Sequence, residues 1–228
     1  MSKTQIQFVD SLNYDVVFLL ETHDSLNGLQ DYGGKNRLLT AGNPPSHDKP
    51  GAVGARLSER AAACLDTWGV VPGTGTRAIW LQMRTNDKAP LLLIGTYVPP
   101  DYRCSPNQSD IHRALLQFIT TRPKRMRILL TGDFNAQMIR SQTGVTGAEV
   151  MKDSREGMTT RKALASERLH KFAESARLWA VSTSGQAQQR RAADRGTWRL
   201  PGVNDKGEII LRVECASGGG ADPNGGAA

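Results

Sequence analysis

Cysteine is scarce and scattered: Cys64, Cys104 and Cys215 are the only three in 228 residues, with no CxxC pair and no Cys/His cluster. That spacing excludes a structural zinc set, argues against a disulfide framework and points to a reducing compartment. Long apolar runs are missing as well. None approaches the roughly 20 residues of a membrane span, and the opening MSKTQIQFVDSLNY has no apolar signal-peptide core. A soluble, intracellular protein with no membrane partner is expected. Histidine is sparse too: His23, His47, His112 and His170 are the only four, and none follows His170.

What is present is an ordinary globular balance, 39% hydrophobic and 22% charged, enough for one substantial domain. The charge is uneven. Residues 1–100 hold nine Lys/Arg and nine Asp/Glu; residues 101–228 hold the other twenty bases and thirteen acids, so the whole excess of 20 − 13 = +7 lies in the second half. A polyanion such as DNA, or RNA, would be attracted there.

The chain is organised around Arg127–Met138, RILLTGDFNAQM. Ile128, Leu129 and Leu130 read as a short buried strand that ends at Gly132, where the backbone can turn sharply. Asp133 and Asn135 are two apart. On extended backbone they point to one side, with Phe134 packed behind them, which suits holding a water or a metal against a phosphate. Gly-Asp-Phe-Asn also reads simply as a turn after a core strand, because Gly, Asp and Asn dominate turns.

Taken in order, Gln5 to Leu12 reads as a short amphipathic helix, and Asp15 to Leu20 as a buried strand that delivers Glu21 at the sheet edge. Asn27 to Pro50, rich in Gly, Asn and Pro, reads as a long irregular loop. Gly51 to Leu57 is a small-residue strand whose glycines allow close packing, followed by a helix from Ser58 through Leu65. Ala78 to Met83 and Leu91 to Val98 are strands joined by a hairpin turn at Asn86 to Lys88. Ser109 to Thr121 is a helix with Ile111, Leu115, Phe118 and Ile119 inward, capped by Ser109 or Asp110. The basic turn Arg122 to Arg125 either touches phosphate or is a solvated charged turn. Ser166 to Trp179 is a second amphipathic helix with Leu169, Phe172, Ala173 and Ala176 inward, and Glu208 to Val213 is one further strand. Residues 5–213 are expected to form the domain and 214–228 a Gly/Ala-rich tail without a core. Strands alternating with helices imply a mixed α/β (α+β) architecture, with Val16 to Leu20, Leu91 to Val98 and Arg127 to Leu130 in one sheet system flanked by helices.

Three segments, DVVFLLETH (Asp15 to His23), LLLIGTYVPP (Leu91 to Pro100) and LLTGDFN (Leu129 to Asn135), resemble in order the motifs of the endonuclease/exonuclease/phosphatase superfamily, the deoxyribonuclease I-like fold. Gly196-Thr197-Trp198 is a fourth, shorter likeness. In its Glu-Thr-His and small-residue details the chain is most similar to a non-LTR retrotransposon endonuclease. The resemblance implies an incomplete four-layer α/β sandwich, with Val181 to Thr183 as a further short strand. It also implies Glu21 and Asp133 as ligands of Mg²⁺ or Mn²⁺, Asp133 as the water-activating base, Asn135 as its orienting partner and Tyr97 as a phosphate contact. It covers roughly Val9 to Trp198. The family's opening strand with its asparagine and its closing Ser-Asp-His have no counterpart here.

The resemblance therefore implies a metal-dependent phosphodiesterase acting on DNA, derived from a mobile element and nuclear if that element is eukaryotic. Two alternatives stand beside it: a non-catalytic nucleic-acid-binding remnant, and an enzyme acting on a small phosphoester.

Overall fold

A computed structural model describes residues 9, 14–22, 28–32, 36–42, 52–85, 89–100, 106–136, 138, 142, 144–146, 159–178 and 210–211. Two sheets form the centre. The first joins β1 (Val16–Thr22), β2 (Gly28–Tyr32), β3 (Asn36–Thr40), β4 (Ala52–Leu57) and β9 (Ile210–Leu211) in the order β2-β3-β4-β1-β9. The second joins β5 (Leu65–Val70), β6 (Ala78–Met83), β7 (Leu91–Tyr97) and β8 (Arg127–Asp133) in sequence order. All of the pairings are antiparallel except that of β7 with β8. That parallel pair is bridged by helix α2 (Gln108–Thr120), as a parallel connection requires. The remaining helices are α1 (Glu59–Cys64) and α3 (Thr160–Ser175).

Apolar alternation along the strands creates the layers. Val16, Phe18, Val53, Ala55 and Leu57 of the first sheet pack against Ile79, Leu81, Leu93 and Tyr97 of the second. The opposite face of the second sheet presents Ala78, Leu92, Ile94 and Val98 to Ile111, Leu115 and Phe118 of α2 and to Leu169 and Phe172 of α3. On the outer face of the first sheet, Val17, Leu19 and Leu38 bury Val9, the one described residue of the helix expected at Gln5 to Leu12. The result is an α/β sandwich of two mixed or antiparallel sheets with few helices. No helix among the described residues is long and apolar enough to cross a membrane.

Several expectations need correction. Asn27 to Pro50 is not a continuous loop, because β2 and β3 pair in it from Gly28↔Thr40 to Tyr32↔Asn36. The Gly33-Gly34 between them is a hairpin signal that the surrounding polar residues obscured. The three apolar strands do not share one sheet: β7 and β8 pair with each other, and β1 lies in the facing sheet. An apolar run reports burial on two faces and says nothing of which neighbour pairs with it. The edge strand β5 was not anticipated, since its half-exposed residues give little periodicity. The cap of α2 is Asn107, whose side chain accepts from the N–H groups of Ser109 (2.9 Å) and Asp110 (3.1 Å); Asp110 closes the capping box. Helix α3 begins at Thr160, six residues before the expected start, with Thr159 as its cap. Cys64 is disulfide-bonded, against the reading of scattered cysteines as reduced, and its partner is outside the described residues. Val181 to Thr183, Trp198 and the tail 214–228 are also outside them, whereas Ile210–Leu211 of the strand expected at Glu208 to Val213 pairs with β1 as β9.

Two close approaches set the spacing. A Cβ on Gly54 would lie 2.9 Å from the Leu39 carbonyl oxygen, so β3 and β4 meet where only glycine fits. A Cβ on Gly95 would lie 2.2 Å from Cδ1 of Phe18. Phe18 is fully buried and its ring fills the space above Gly95, so the Gly95→Ala variant must displace a packed aromatic. We expect a loss of about 1–3 kcal/mol in urea denaturation; an unchanged midpoint would mean that the sheets can separate freely.

The α2–α3 interface has a titratable core. His112 is buried, stacks on Phe172 at 4.9 Å and lies 6.3 Å from Phe134. Burial, with the nearby Arg168 charge as a smaller cause, pushes its pKa from 6.5 down to about 4. The unfolded chain therefore takes up this proton more readily. The stabilisation is complete above about pH 6.5 and is lost as pH falls toward 4, on the order of 3 kcal/mol in all. His112→Phe keeps the stack and removes the titration. Its unfolding free energy should fall less than that of the parent between pH 7 and 4.5, and parallel curves would exclude His112 as the acid-labile group.

Candidate active site

The first sheet contributes Glu21 through a defect in its pairing. The register of β1 against β4 runs Leu19↔Gly54 and then Thr22↔Ala52, three residues against two. One extra residue is a bulge, which bends the strand and re-aims a side chain. Glu21 takes the left-handed conformation at φ 55° and is exposed. A non-glycine residue there costs on the order of 1 kcal/mol, and such strain collects at functional sites.

The second sheet contributes a row. Tyr97 at the end of β7 pairs with Asp133 at the end of β8, and the Val98 N–H donates to the Asp133 carbonyl at 2.7 Å. Gly132, at φ 150°, allows this pairing, because a Cβ there would lie 1.8 Å from the Thr96 carbonyl oxygen. Tyr97 is almost fully buried against the first sheet, and its hydroxyl donates to the Glu21 carboxylate. Burial first, then that hydrogen bond and the negative charges of Glu21 and Asp133, raise the tyrosine far above its ordinary pKa, with Arg77 opposing them. Tyr97 is therefore a neutral donor at physiological pH.

Asp133 is open to water on its outer side and crowded by protein on its inner side. That partial desolvation raises its pKa, the Asn135 N–H opposes the rise, and the Glu21 charge adds to it. A carboxylate whose proton affinity is raised by burial and by a second carboxylate beside it forms a site in want of a cation. An all-oxygen donor set fits a hard divalent ion, which commonly uses one or two protein carboxylates and completes its shell with water and phosphate. No group of three or more His, Cys, Asp or Glu suited to a metal occurs among the described residues.

Asn135 is placed differently from its expected parallel projection beside Asp133. It sits at φ 44°, its N–H donates to Asp133 Oδ1 at 2.8 Å, and its Nδ2 donates to the Val98 carbonyl at 2.8 Å. The turn reading of Gly-Asp-Phe-Asn thus describes the backbone, and the turn itself orients the Asp133 carboxylate. Glu21, Tyr97 and Asp133 come together from strands up to 112 residues apart, the interval from 21 to 133.

One basic residue escaped the sequence reading. Arg77, just before β6, is buried and its charge reaches Tyr97. No periodicity marks it; only the β6–β7 register reveals it. The basic turn Arg122 to Arg125 is at the wrong end. It precedes β8, whose seven residues span roughly 20 Å. Arg122 is engaged in structure there, 3.8 Å from the Phe118 ring centroid and 5.7 Å from that of Trp80, with Nε donating to the Phe118 carbonyl at 3.3 Å. Nearer the site, Arg161 at the start of α3 donates to the Pro100 carbonyl at 2.5 Å.

Neither a protein-family model nor a curated protein matches the chain. Solved structures do match. The AP endonuclease LMAP from Leishmania major aligns with a TM-score of 0.51 at 12% identity, over 75% of this chain and 60% of that one. The catalytic domain of Xenopus laevis APE2 aligns at 0.47 and 15% identity, over 73% and 61%. A D. rerio TDP2 humanized by 14 mutations aligns at 0.41 and 17% identity, over 57% and 53%. In each case the chain spans less than two thirds of the other protein. At such identities the likeness is one of fold, which this chain shares with the Leishmania major AP endonuclease.

Proposed function

We propose that the chain is a metal-dependent phosphodiesterase that cleaves DNA. The observation that carries this reading is the meeting of Glu21, Tyr97 and Asp133, where the Glu21 charge raises the proton affinity of both the tyrosine and the aspartate. The Leishmania major protein that shares the fold is an AP endonuclease, which supports a phosphoester substrate. DNA is favoured over a small phosphoester because the +7 excess lies entirely in the second half, which includes the α3 arginines. The Glu-Thr-His segment supports a mobile-element origin, with a nuclear setting if that element is eukaryotic.

In this reading Glu21 and Asp133 would hold Mg²⁺ or Mn²⁺, which would supply Lewis-acid neutralisation of the phosphate charge. Asp133, its carboxylate steadied by the Asn135 N–H, takes the proton of the attacking water. The water oxygen bonds to phosphorus, the P–O bond to the leaving sugar oxygen breaks, and that oxygen takes a proton from solvent. Tyr97 remains protonated and turns its hydroxyl from Glu21 to a phosphate oxygen. The family's Ser-Asp-His has no counterpart, and His112 and His170 are buried in the helix layer, where they cannot reach substrate. Groups of this kind act as a unit, so the rate should be low.

A plasmid-nicking assay with Mg²⁺ tests the proposal. The chain as written should nick slowly, Asp133→Ala should lower that rate by roughly 100-fold or more, and a chain extended by a family-like strand ending in Ser-Asp-His should exceed it by a similar factor. Nicking that survives Asp133→Ala would overturn the site. Inactivity of both the parent and the extended chain, with salt-sensitive DNA binding, would establish the binding remnant instead.

A further inference from the structure

Positive charge collects at the end of the second sheet opposite the carboxylates. Arg84 directly follows β6, and Arg127 opens β8. Because Met83 pairs with Leu91 and Leu91 with Arg127, the two arginines flank the start of β7 across two strand spacings, roughly 10 Å. Lys124 and Arg125 stand in the turn between α2 and β8, and all four side chains are exposed.

Backbone contacts hold that turn in place. The Arg122 N–H donates to the Ile119 carbonyl at 3.1 Å, the Met126 N–H to the Pro123 carbonyl at 2.9 Å, and the Arg127 N–H to the Pro90 carbonyl at 3.0 Å. Met126 packs against the core between the sheet and the helices. Lys124 and Arg125 are therefore presented from a fixed base.

The fold accounts for only part of this charge. The last carbonyls of α2 favour a cation, and Arg122 supplies it, donating from Nε to the Phe118 carbonyl at 3.3 Å with its guanidinium over the Phe118 ring. Arg84 donates to the Ala63 carbonyl at 2.7 Å, a neutral partner that leaves its charge in place, and Arg127 donates to Thr85 Oγ1 at 3.3 Å. Among the described residues, none of Arg84, Lys124 and Arg125 forms an ion pair. Asp15 pairs with Arg60, and Asp66 on β5 accepts from Gln82 Nε2 at 2.8 Å, so neither acid answers these cations.

Like charges held together repel one another, and a polyanion relieves that repulsion. We propose that this end of the second sheet is a second DNA-binding surface, where Arg84, Lys124, Arg125 and Arg127 contact backbone phosphates without reading sequence. The inference deepens the phosphodiesterase reading and takes DNA as its polyanion from it. The length of β8 puts roughly 20 Å between these cations and Asp133, the rise of about six base pairs. The surface thus holds DNA away from the linkage that is cut, and contributes affinity rather than chemistry.

The test is the affinity of a fluorescein-labelled duplex of about 24 base pairs, measured by anisotropy in EDTA from about 50 to 200 mM salt. A Lys124→Gln/Arg125→Gln variant is compared with Arg113→Gln/Lys171→Gln, which removes two exposed charges from α2 and α3. Loss of two phosphate contacts should lower the slope of log K against log salt by about 2, so over this range the parent should lose roughly tenfold more affinity than the Lys124/Arg125 variant. The helix variant should keep the parent's slope. If either double variant does not fold, as judged by circular dichroism, the single variants Lys124→Gln and Arg113→Gln replace them, with about half the change in slope expected for the first. Equal slopes for the two variants, or no measurable binding by the parent, would overturn the assignment. So would loss of binding to phosphatidylserine vesicles by the Lys124/Arg125 variant with its DNA affinity intact, which would make this end a membrane contact. Nicking with Mg²⁺ separates the two readings: DNA binding that depends on Lys124 and Arg125 in a chain that does not nick retains the surface and rejects the hydrolase. Asp133-dependent nicking without that dependence does the reverse.

Discussion

The seating of Phe18 on Gly95 sets the distance between the two sheets, and the site depends on that distance. Phe18 lies three residues before Glu21 on one sheet, and Gly95 two residues before Tyr97 on the other. A Cβ at position 95 would overlap the ring by more than an ångström relative to ordinary carbon contact, so the sheets approach as closely as they do only because that atom is missing. The tyrosine hydroxyl can then reach a carboxylate that belongs to the opposite sheet. Core packing and site geometry are here the same constraint read at two points along the same pair of strands.

Within that frame, local backbone irregularities aim the functional groups. Regular pairing would continue the alternation of β1 through Glu21; the bulge and the left-handed φ break it at that residue. On the other sheet, Gly132 accepts a conformation closed to any side chain, and Asn135 completes a turn whose N–H fixes Asp133. Each irregularity costs on the order of 1–3 kcal/mol and persists because the surrounding ladder over-determines it. The ladder is extensive: β7 and β8 pair at seven successive positions, which leaves Asp133 no freedom of register relative to Tyr97.

The sequence showed the parts of this arrangement that a periodic signal can carry. Apolar runs located β1, β7 and β8, and the 3.6-residue spacing located α2 and the inward face of α3. Ordered motifs picked out Glu21, Tyr97 and Asp133. Pairing was not legible, because a run such as VVFLL specifies burial and leaves the choice of neighbour to tertiary packing. The hairpin of β2 and β3 was hidden by the polar and glycine-rich residues around it, and the edge strand β5 by its exposure. Asn135 was read on an extended backbone, where its left-handed φ depends on a contact with Val98, 37 residues earlier. Arg77 carries no local signal at all; its meaning comes from the residue opposite it on a neighbouring strand.

Charge placement follows the same logic of position over composition. The +7 excess points to a polyanion, yet its most concentrated cluster, Arg122 to Arg125, lies at the end of β8 away from Asp133. There Arg122 lays its guanidinium over Phe118 and near Trp80, an aromatic contact that holds the turn after α2 against the sheet. Among the described residues near the carboxylates the positive charge is sparse and individually placed: Arg77 between the sheets, and Arg161 beside Pro100 just past the Tyr97 strand. A diffuse basic surface brings a nucleic acid close without choosing a bond. Arg77 is held near the acids by backbone, since its carbonyl accepts from the N–H of Tyr97, the residue that pairs with Asp133.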